Sequence, residues 1–286
     1  MVVASEEARL FLAGGLAGCA AKTIVAPLER VRIAAQVAIS VESRARSSFG
    51  IGAEIVRAEG IRGLWRSNGV AVLRTFPSKA VVFGGNDAYA RFLRTLPGDW
   101  VPRGAVAPCA GGLAGLTAVA ITYPLDVVRT RLAASSADGG SRGISATVSA
   151  LLRERGLSAF YVGVRPTLFG GTFYEAARFG AFDRFRSAPA FEDPRRPGQR
   201  VWYANLVAGS LAGVAAGLTM YPNDTIRRQL QMGRSTTYAC AARTLYANGG
   251  AGRLYAGLAP YLLRAAPGAA CQFAAFAELK RLLDVG

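Results

Sequence analysis

The sequence predicts an all-α membrane protein of three tandem repeats, each built from two long membrane helices joined by a short surface helix. Three observations carry that expectation. The pattern of a proline, an acid two residues on and an arginine three further on occurs three times, as Pro27-Glu29-Arg32, Pro124-Asp126-Arg129 and Pro222-Asp224-Arg227, with the prolines 97 and 98 residues apart. One fixed period on this scale marks a repeat architecture. Thirteen residues before each proline stands a small-residue step: GGLAG from Gly14, GGLAG from Gly111 and GSLAG from Gly209. Residues 104–125 and 201–223 are uncharged runs of 22 and 23 residues, each long enough to cross a hydrocarbon core of about 30 Å.

The other spans are less plain. Residues 10–21 form a shorter run that ends at Lys22, and the stretches around 70–92, 163–186 and 257–281 are interrupted by Arg74, Lys79, Glu175, Arg178 and Arg264. Charges inside membrane helices face a bundle interior or a water-filled cavity. Six spans therefore account for the pattern better than an anchor of one or two.

In the first repeat the first helix runs from about Glu6 to Gln36 and is kinked at Pro27, because proline lacks the donor for one backbone bond. Gly14 and Gly18 lie one turn apart and allow a neighbouring helix to approach closely. A short surface helix over 47–59 carries Phe49, Ile51, Ile55 and Val56 as its apolar positions. Glu59-Gly60, Trp65 and Asn68 then lead into a helix over about 69–95. The second repeat gives helices at about 103–134, 144–155 and 163–187, and the third at about 200–231, 236–248 and 257–283. Where the first repeat ends its surface helix on Glu59-Gly60, the second has Arg155-Gly156 and the third Gly249-Gly250, so both lack the acid. The segments LPGDWVPR (96–103) and EDPRRPGQR (192–200) read as linkers between repeats.

A net charge of +16 invites a nucleic-acid reading. The basic residues, however, are spread over all three repeats, with no aromatic and basic platform for stacking bases. Membrane topology explains them better. The segments 29–66, 126–165 and 224–264 hold 19 Arg and 8 acids, which marks one face as the positive side. With no histidine, His-based catalysis and His metal ligation are excluded. Cys19, Cys109, Cys240 and Cys271 form no CxxC pair and read as small packing residues. No nucleophile and base constellation of an enzyme is visible. The N-terminus carries Glu6 and Glu7, unlike an acid-poor transit peptide, so targeting is expected to be internal.

The threefold proline motif resembles that of the mitochondrial carrier family, over the whole chain: repeat one at 1–99, repeat two at 100–197 and repeat three at 198–286. The resemblance implies six tilted transmembrane helices around a central substrate cavity, alternating access, the mitochondrial inner membrane with both termini on the intermembrane-space side, a functional monomer, and cardiolipin at basic helix ends. No cofactor, metal or nucleic acid is implied. Glu29, Asp126 and Asp224 with Arg32, Arg129 and Arg227 would close the matrix side through the pairs Glu29–Arg129, Asp126–Arg227 and Asp224–Arg32. Gln36 and Gln231 would brace that ring; Ala133 stands at the third brace position. On the opposite side the aromatic-acid-x-x-base pattern is whole in the second repeat, with Asp183 and Arg186. Asp87 and Lys280 survive in the others, where Ala90 and Ala277 replace their ring partners. The implied outer pairs are Asp87–Arg186 and Asp183–Lys280.

The family's substrate positions fall at Arg74, Gly170, Gly171 and Arg264, with Lys22 on the first helix. Two arginines and a lysine suit an anion, since arginine grips phosphate in a two-pronged fork and lysine adds a point charge. Gly170 and Gly171 would leave room, and Tyr174 offers a face for a flat ring. AKTIVAPLERVR (21–32), LRTFPSKAVVF (73–83) and YEAARFGAFD (174–183) resemble the ADP/ATP carrier branch, whereas RRQLQM (227–232) is closer to carriers of coenzyme A, ATP-Mg or related nucleotides, and Glu175 stands where the ADP/ATP carriers have a basic residue. The expected substrate is a nucleotide-class anion, an adenine nucleotide or a coenzyme A-like molecule. Arg74 and Arg264 have an alternative use, pairing with cavity acids such as Glu175. The whole chain also has one, as a transport-inactive structural subunit of a larger membrane complex.

Overall fold

The computed structural model describes residues 2–38, 47–97, 102–134, 143–188 and 204–283. Among them there is no strand. The helices are α1 (Val2–Val37), α2 (Ser48–Glu59), α3 (Asn68–Thr95), α4 (Arg103–Ala134), α5 (Ile144–Arg155), α6 (Val164–Arg186), α7 (Ala204–Gln231), α8 (Tyr238–Ala247), α9 (Gly250–Leu254), α10 (Leu258–Leu263) and α11 (Ala265–Leu282). Single 3₁₀ turns, Ile61–Trp65 and Gly156–Tyr161, precede α3 and α6. Pro27, Pro124 and Pro222 lie inside α1, α4 and α7, which continue past them. Arg9–Val37 and Gly104–Ala134, of 29 and 31 residues, are long and apolar enough to cross a membrane. The linker 192–200 and residues 98–101 of the other linker lie outside the described residues.

The last predicted helix is two helices. Pro267 has no N–H to give to the carbonyl of Leu263, so the ladder breaks at Arg264 between α10 and α11. Arg264 is thereby placed at a helix junction, its own N–H bonded to Pro260 O at 3.1 Å.

Two compact units partition the chain. One comprises Met1–Val164 with Gly257–Gly286, and the other Arg165–Ala256. In the first, α3 packs along α4, and α1 packs along both α11 and α3. Close approach is expected at Gly14 and Gly18, but it occurs at Gly15. A Cβ there would stand 2.6 Å from the Phe76 ring, against 3.9 Å from Phe276 at Gly14 and 3.5 Å from Thr75 at Gly18. The neighbouring position on the helix is turned about 100° toward α3. The packed face of the first helix in every repeat is a stripe of alanines at i, i+4 and i+8: Ala13, Ala17, Ala21; Ala110, Ala114, Ala118; Ala208, Ala212, Ala216, all buried. Small residues let backbones come close.

Helix α2 is capped by Ser47, whose Oγ accepts from Gly50 N at 3.2 Å. Of its four apolar positions, Ile51 and Ile55 pack on Val31, Ala34 and Ala35 of α1. Phe49 and Val56 face outward, at 76% and 37% exposure. A helix of this length buries one stripe only.

An aromatic clasp recurs. In the first unit Tyr123 stacks on Tyr161, and its hydroxyl donates to Val162 O at 3.0 Å. In the second unit Tyr221 stacks on Tyr255 and donates to Ala256 O at 3.0 Å. Each tyrosine directly precedes the motif proline. The first repeat has Ala26 there, and Trp65 reaches back to donate its indole N–H to Thr23 O at 2.7 Å.

Candidate functional site

Glu29, two residues past Pro27 and buried, is the hub of the first unit. Arg32 donates to its Oε2 at 3.5 Å, Arg129 of α4 pairs with Oε1 at 3.5 Å, and Arg264 pairs with Oε2 at 3.2 Å. The Arg32 and Arg264 guanidiniums lie 4.6 and 4.9 Å from the centre of the Tyr261 ring. A π-face tolerates two cations here because Glu29 offsets their mutual repulsion. The sequence reading missed Tyr261; its only signal is a spacing of three from Arg264.

Asp126, also buried, is the acid for Arg74. Arg74 Nη1 lies 3.3 Å from Asp126 Oδ1, while its Nε donates to Thr122 Oγ1 at 3.1 Å. Lys22 Nζ donates to Thr75 Oγ1 at 2.7 Å and to Ala71 O at 3.3 Å. The cations expected to hold substrate are therefore each tied down in this structure. Two of them are paired with proline-motif acids and not with Glu175, which accepts from Arg178 on its own helix at 2.6 Å.

In the second unit Asp224 and Arg227 lie one turn apart on α7, both half-buried. Asp224 Oδ2 accepts from Arg228 Nε at 3.3 Å. Arg228, the residue beside the expected ring base, was not singled out from the sequence. Gln36 and Gln231 are fully buried, as is Ala133 at the equivalent place. Gly170 corrects an expectation: a Cβ there would run into Asn223, whose amide donates to Pro166 O at 3.1 Å. The space beside Gly170 is taken, whereas Gly171 has nothing within 4 Å. Tyr174 is half-buried on the same helix.

Asp87, Asp183 and Arg186 are exposed and Lys280 is half-buried. Glu278 lies 3.9 Å from Arg281. The expected pairs Asp126–Arg227, Asp224–Arg32, Asp87–Arg186 and Asp183–Lys280 each draw one residue from each unit.

Arg30 is a second buried cation that the motif spacing did not flag. It is fully buried and forks onto Glu59, at 2.7 Å to Oε1 and 3.0 Å to Oε2, with Arg66 3.1 Å from Oε2. In the second repeat, which lacks the acid at that position, another acid serves. Glu154, one residue before Arg155, takes two bonds from Arg131, both at 2.9 Å. In the third repeat Thr225 Oγ1 donates to Leu254 O at 2.8 Å instead. The packing role expected for the cysteines fails at Cys109 and Cys240, which are exposed; Cys19 and Cys271 are half-buried, and all are free. Among the described residues no cluster of His, Cys, Asp or Glu could hold a metal ion.

Comparison with known proteins agrees with the threefold pattern. The family model described as mitochondrial carrier protein matches residues 5–96, 105–189 and 198–285. The chain is 33% identical over 291 residues to the probable envelope ADP,ATP carrier protein, chloroplastic, of Arabidopsis thaliana, covering 99% of this chain and 74% of that one. It is 33% identical over 301 residues to solute carrier family 25 member 16 of Mus musculus, covering 97% and 89%. It is 35% identical over 241 residues to a mitochondrial coenzyme A transporter of Homo sapiens, covering 82% and 74%. With three matched repeats on an all-helical fold, this chain belongs to the mitochondrial carrier family, whose members are transporters.

Proposed function

We propose that this protein moves a nucleotide-type anion, an adenine nucleotide or a coenzyme A-like molecule, across the mitochondrial inner membrane by alternating access through six membrane helices in three repeats. The observation that carries this reading is the double engagement of Arg74 with Asp126 and of Arg264 with Glu29. Each pair ties a cation of the proposed substrate site to an acid of the proposed matrix gate. An incoming phosphate offers arginine a stronger, two-pronged partner than a single carboxylate. It thereby strips Arg74 and Arg264 from the gate acids, and the gate network loses part of what holds it. Coulomb attraction at about 3.3 Å and an effective dielectric near 20 is about 5 kcal/mol before desolvation is subtracted, so such a latch is reversible. Lys22 adds a third positive charge, and within α6 Gly171 leaves room beside the face that Tyr174 offers to a flat ring. Relatives named as ADP,ATP and coenzyme A carriers support the substrate class. The inner membrane is favoured over the chloroplast sites of other relatives by the human coenzyme A transporter, which is named as mitochondrial. The termini face the intermembrane space, the monomer is the working unit, and cardiolipin occupies basic helix ends.

Thermal unfolding of the purified protein with ATP, ADP, AMP and coenzyme A tests this, because a ligand bound only by the folded state raises stability. Stabilisation by dicarboxylates or amino acids but by none of these nucleotides would overturn the substrate class. Ala133, Ala90 and Ala277, which interrupt the charged and bracing rings, favour a second reading as a transport-inactive membrane subunit. Uptake into liposomes separates the two.

A further inference from the structure

Arg74 and Arg264 are held in different ways. Arg74 donates from Nε to Thr122 Oγ1 and from Nη1 to Asp126 Oδ1, and two hydrogen bonds fix the plane of its guanidinium. The Arg264 side chain donates no hydrogen bond to any described residue. Its Nε is buried 3.2 Å from Glu29 Oε2 without hydrogen-bond geometry, its guanidinium carbon lies 4.9 Å from the centre of the Tyr261 ring, and the side chain is 32% exposed. Tyr261 stands three residues before Arg264 at the end of α10, so helix geometry brings ring and guanidinium to one face. Arg32 lies over the same ring at 4.6 Å, but its Nη1 donates to Glu29 and only 7% of its side chain is exposed. All of these residues belong to the first unit. An ion pair without a hydrogen bond fixes where a charge sits and not how it is turned. An aromatic face does turn a guanidinium, and it leaves the N–H groups in the guanidinium plane free to donate.

We propose that Tyr261 is a positioning residue for the substrate arginine: it holds the Arg264 guanidinium in one plane, so that its two terminal nitrogens face a phosphate group as a fork. This rests on the nucleotide reading above and names the residue that makes Arg264 a fork and not a point charge. The phosphate meets the Nη edge first, where no hydrogen bond has to be broken. Glu29 then loses Nε as Arg264 turns to face the phosphate squarely, while Arg32 stays with Glu29 through its own hydrogen bond. If Tyr261 only filled space beside α1, its removal would lower stability and act on ligand binding equally whichever cation stood at position 264.

The experiment measures the ADP concentration that half-saturates the thermal shift of the full-length protein. Tyr261→Leu should raise it about fivefold, in the range of a partly desolvated cation–π contact, and Tyr261→Phe, which keeps the ring, should stay within about twofold of wild type. Arg264→Lys should weaken binding by itself, and adding Tyr261→Leu to it should change the value less than about twofold, because an ammonium has no plane to set. Melting temperatures without ligand separate a folding defect from lost positioning, and the contrast of Leu with Phe decides alone if the Lys protein binds too weakly to titrate. An unchanged value in Tyr261→Leu, the same loss in Phe as in Leu, or an equal effect of Leu beside Arg264 and beside Lys overturns the proposal while nucleotide stabilisation itself stands. If neither ADP nor coenzyme A shifts the wild type, the nucleotide reading falls and this proposal with it.

Discussion

Arg264 Nε lies 3.2 Å from Glu29 Oε2, so a residue at a broken helix junction late in the chain is held by an acid two residues past the first motif proline. A double-mutant cycle with Glu29→Gln and Arg264→Gln, read by thermal unfolding without ligand, should give a coupling of about 1 kcal/mol, in the range for residues in direct contact. Additive losses would break the link between substrate site and gate on which the proposed function depends. Arg264→Ala should also abolish stabilisation by ADP and coenzyme A.

Arg30 and Arg131 make similar forks in different surroundings. Arg30 is fully buried on Glu59, whereas the Glu154 partner of Arg131 is 44% exposed. Replacing Arg30 by Ala should cost about 2–4 kcal/mol, since it takes the two-pronged partner from a largely buried carboxylate. Replacing Arg131 by Ala should cost less than about 1 kcal/mol. Equal drops in melting temperature would show that burial does not set the difference.

The two adjacent glycines of α6 should behave differently. Gly170→Ala meets Asn223 and should destabilise the protein by about 1–3 kcal/mol, the usual cost of overpacking, and Asn223→Ala should recover part of that loss. Gly171→Ala meets nothing, so it should leave the unfolding free energy within about 1 kcal/mol of wild type while weakening ligand-induced stabilisation. The same stability loss at both positions would mean that Asn223 does not fill the space beside Gly170.

In the proposed outer ring Ala90 and Ala277 stand where a base and an acid are expected, and Glu278 sits beside Arg281 on its own helix. Ligand-free protein should therefore favour the state closed to the matrix. Restoring the pair with Ala90→Lys and Ala277→Asp should raise the matrix-open population about fivefold, if the pair is worth about 1 kcal/mol. Cysteine labelling from each side reads this out, and an unaltered labelling pattern would remove the asymmetry.

The sequence by itself determined the threefold plan. Proline, acid and base recur at a fixed period, and helix extents follow from apolar runs, prolines and glycines, all of which act within a few residues along the chain. Membership of the carrier family was legible for the same reason. The tertiary structure decided which charges meet. An arginine side chain reaches several ångströms in any direction, so spacing could place Arg264 on a helix but could not choose between Glu175 and Glu29. A shift of one residue turns a helical side chain by about 100°. That is why Gly15 and not Gly14 lies against Phe76, and why Glu154 could take Arg131 although it misses the Glu-Gly register. Gly170 and Gly171 look alike in sequence. Only the position of Asn223 on another helix makes one a packing contact and leaves the other open.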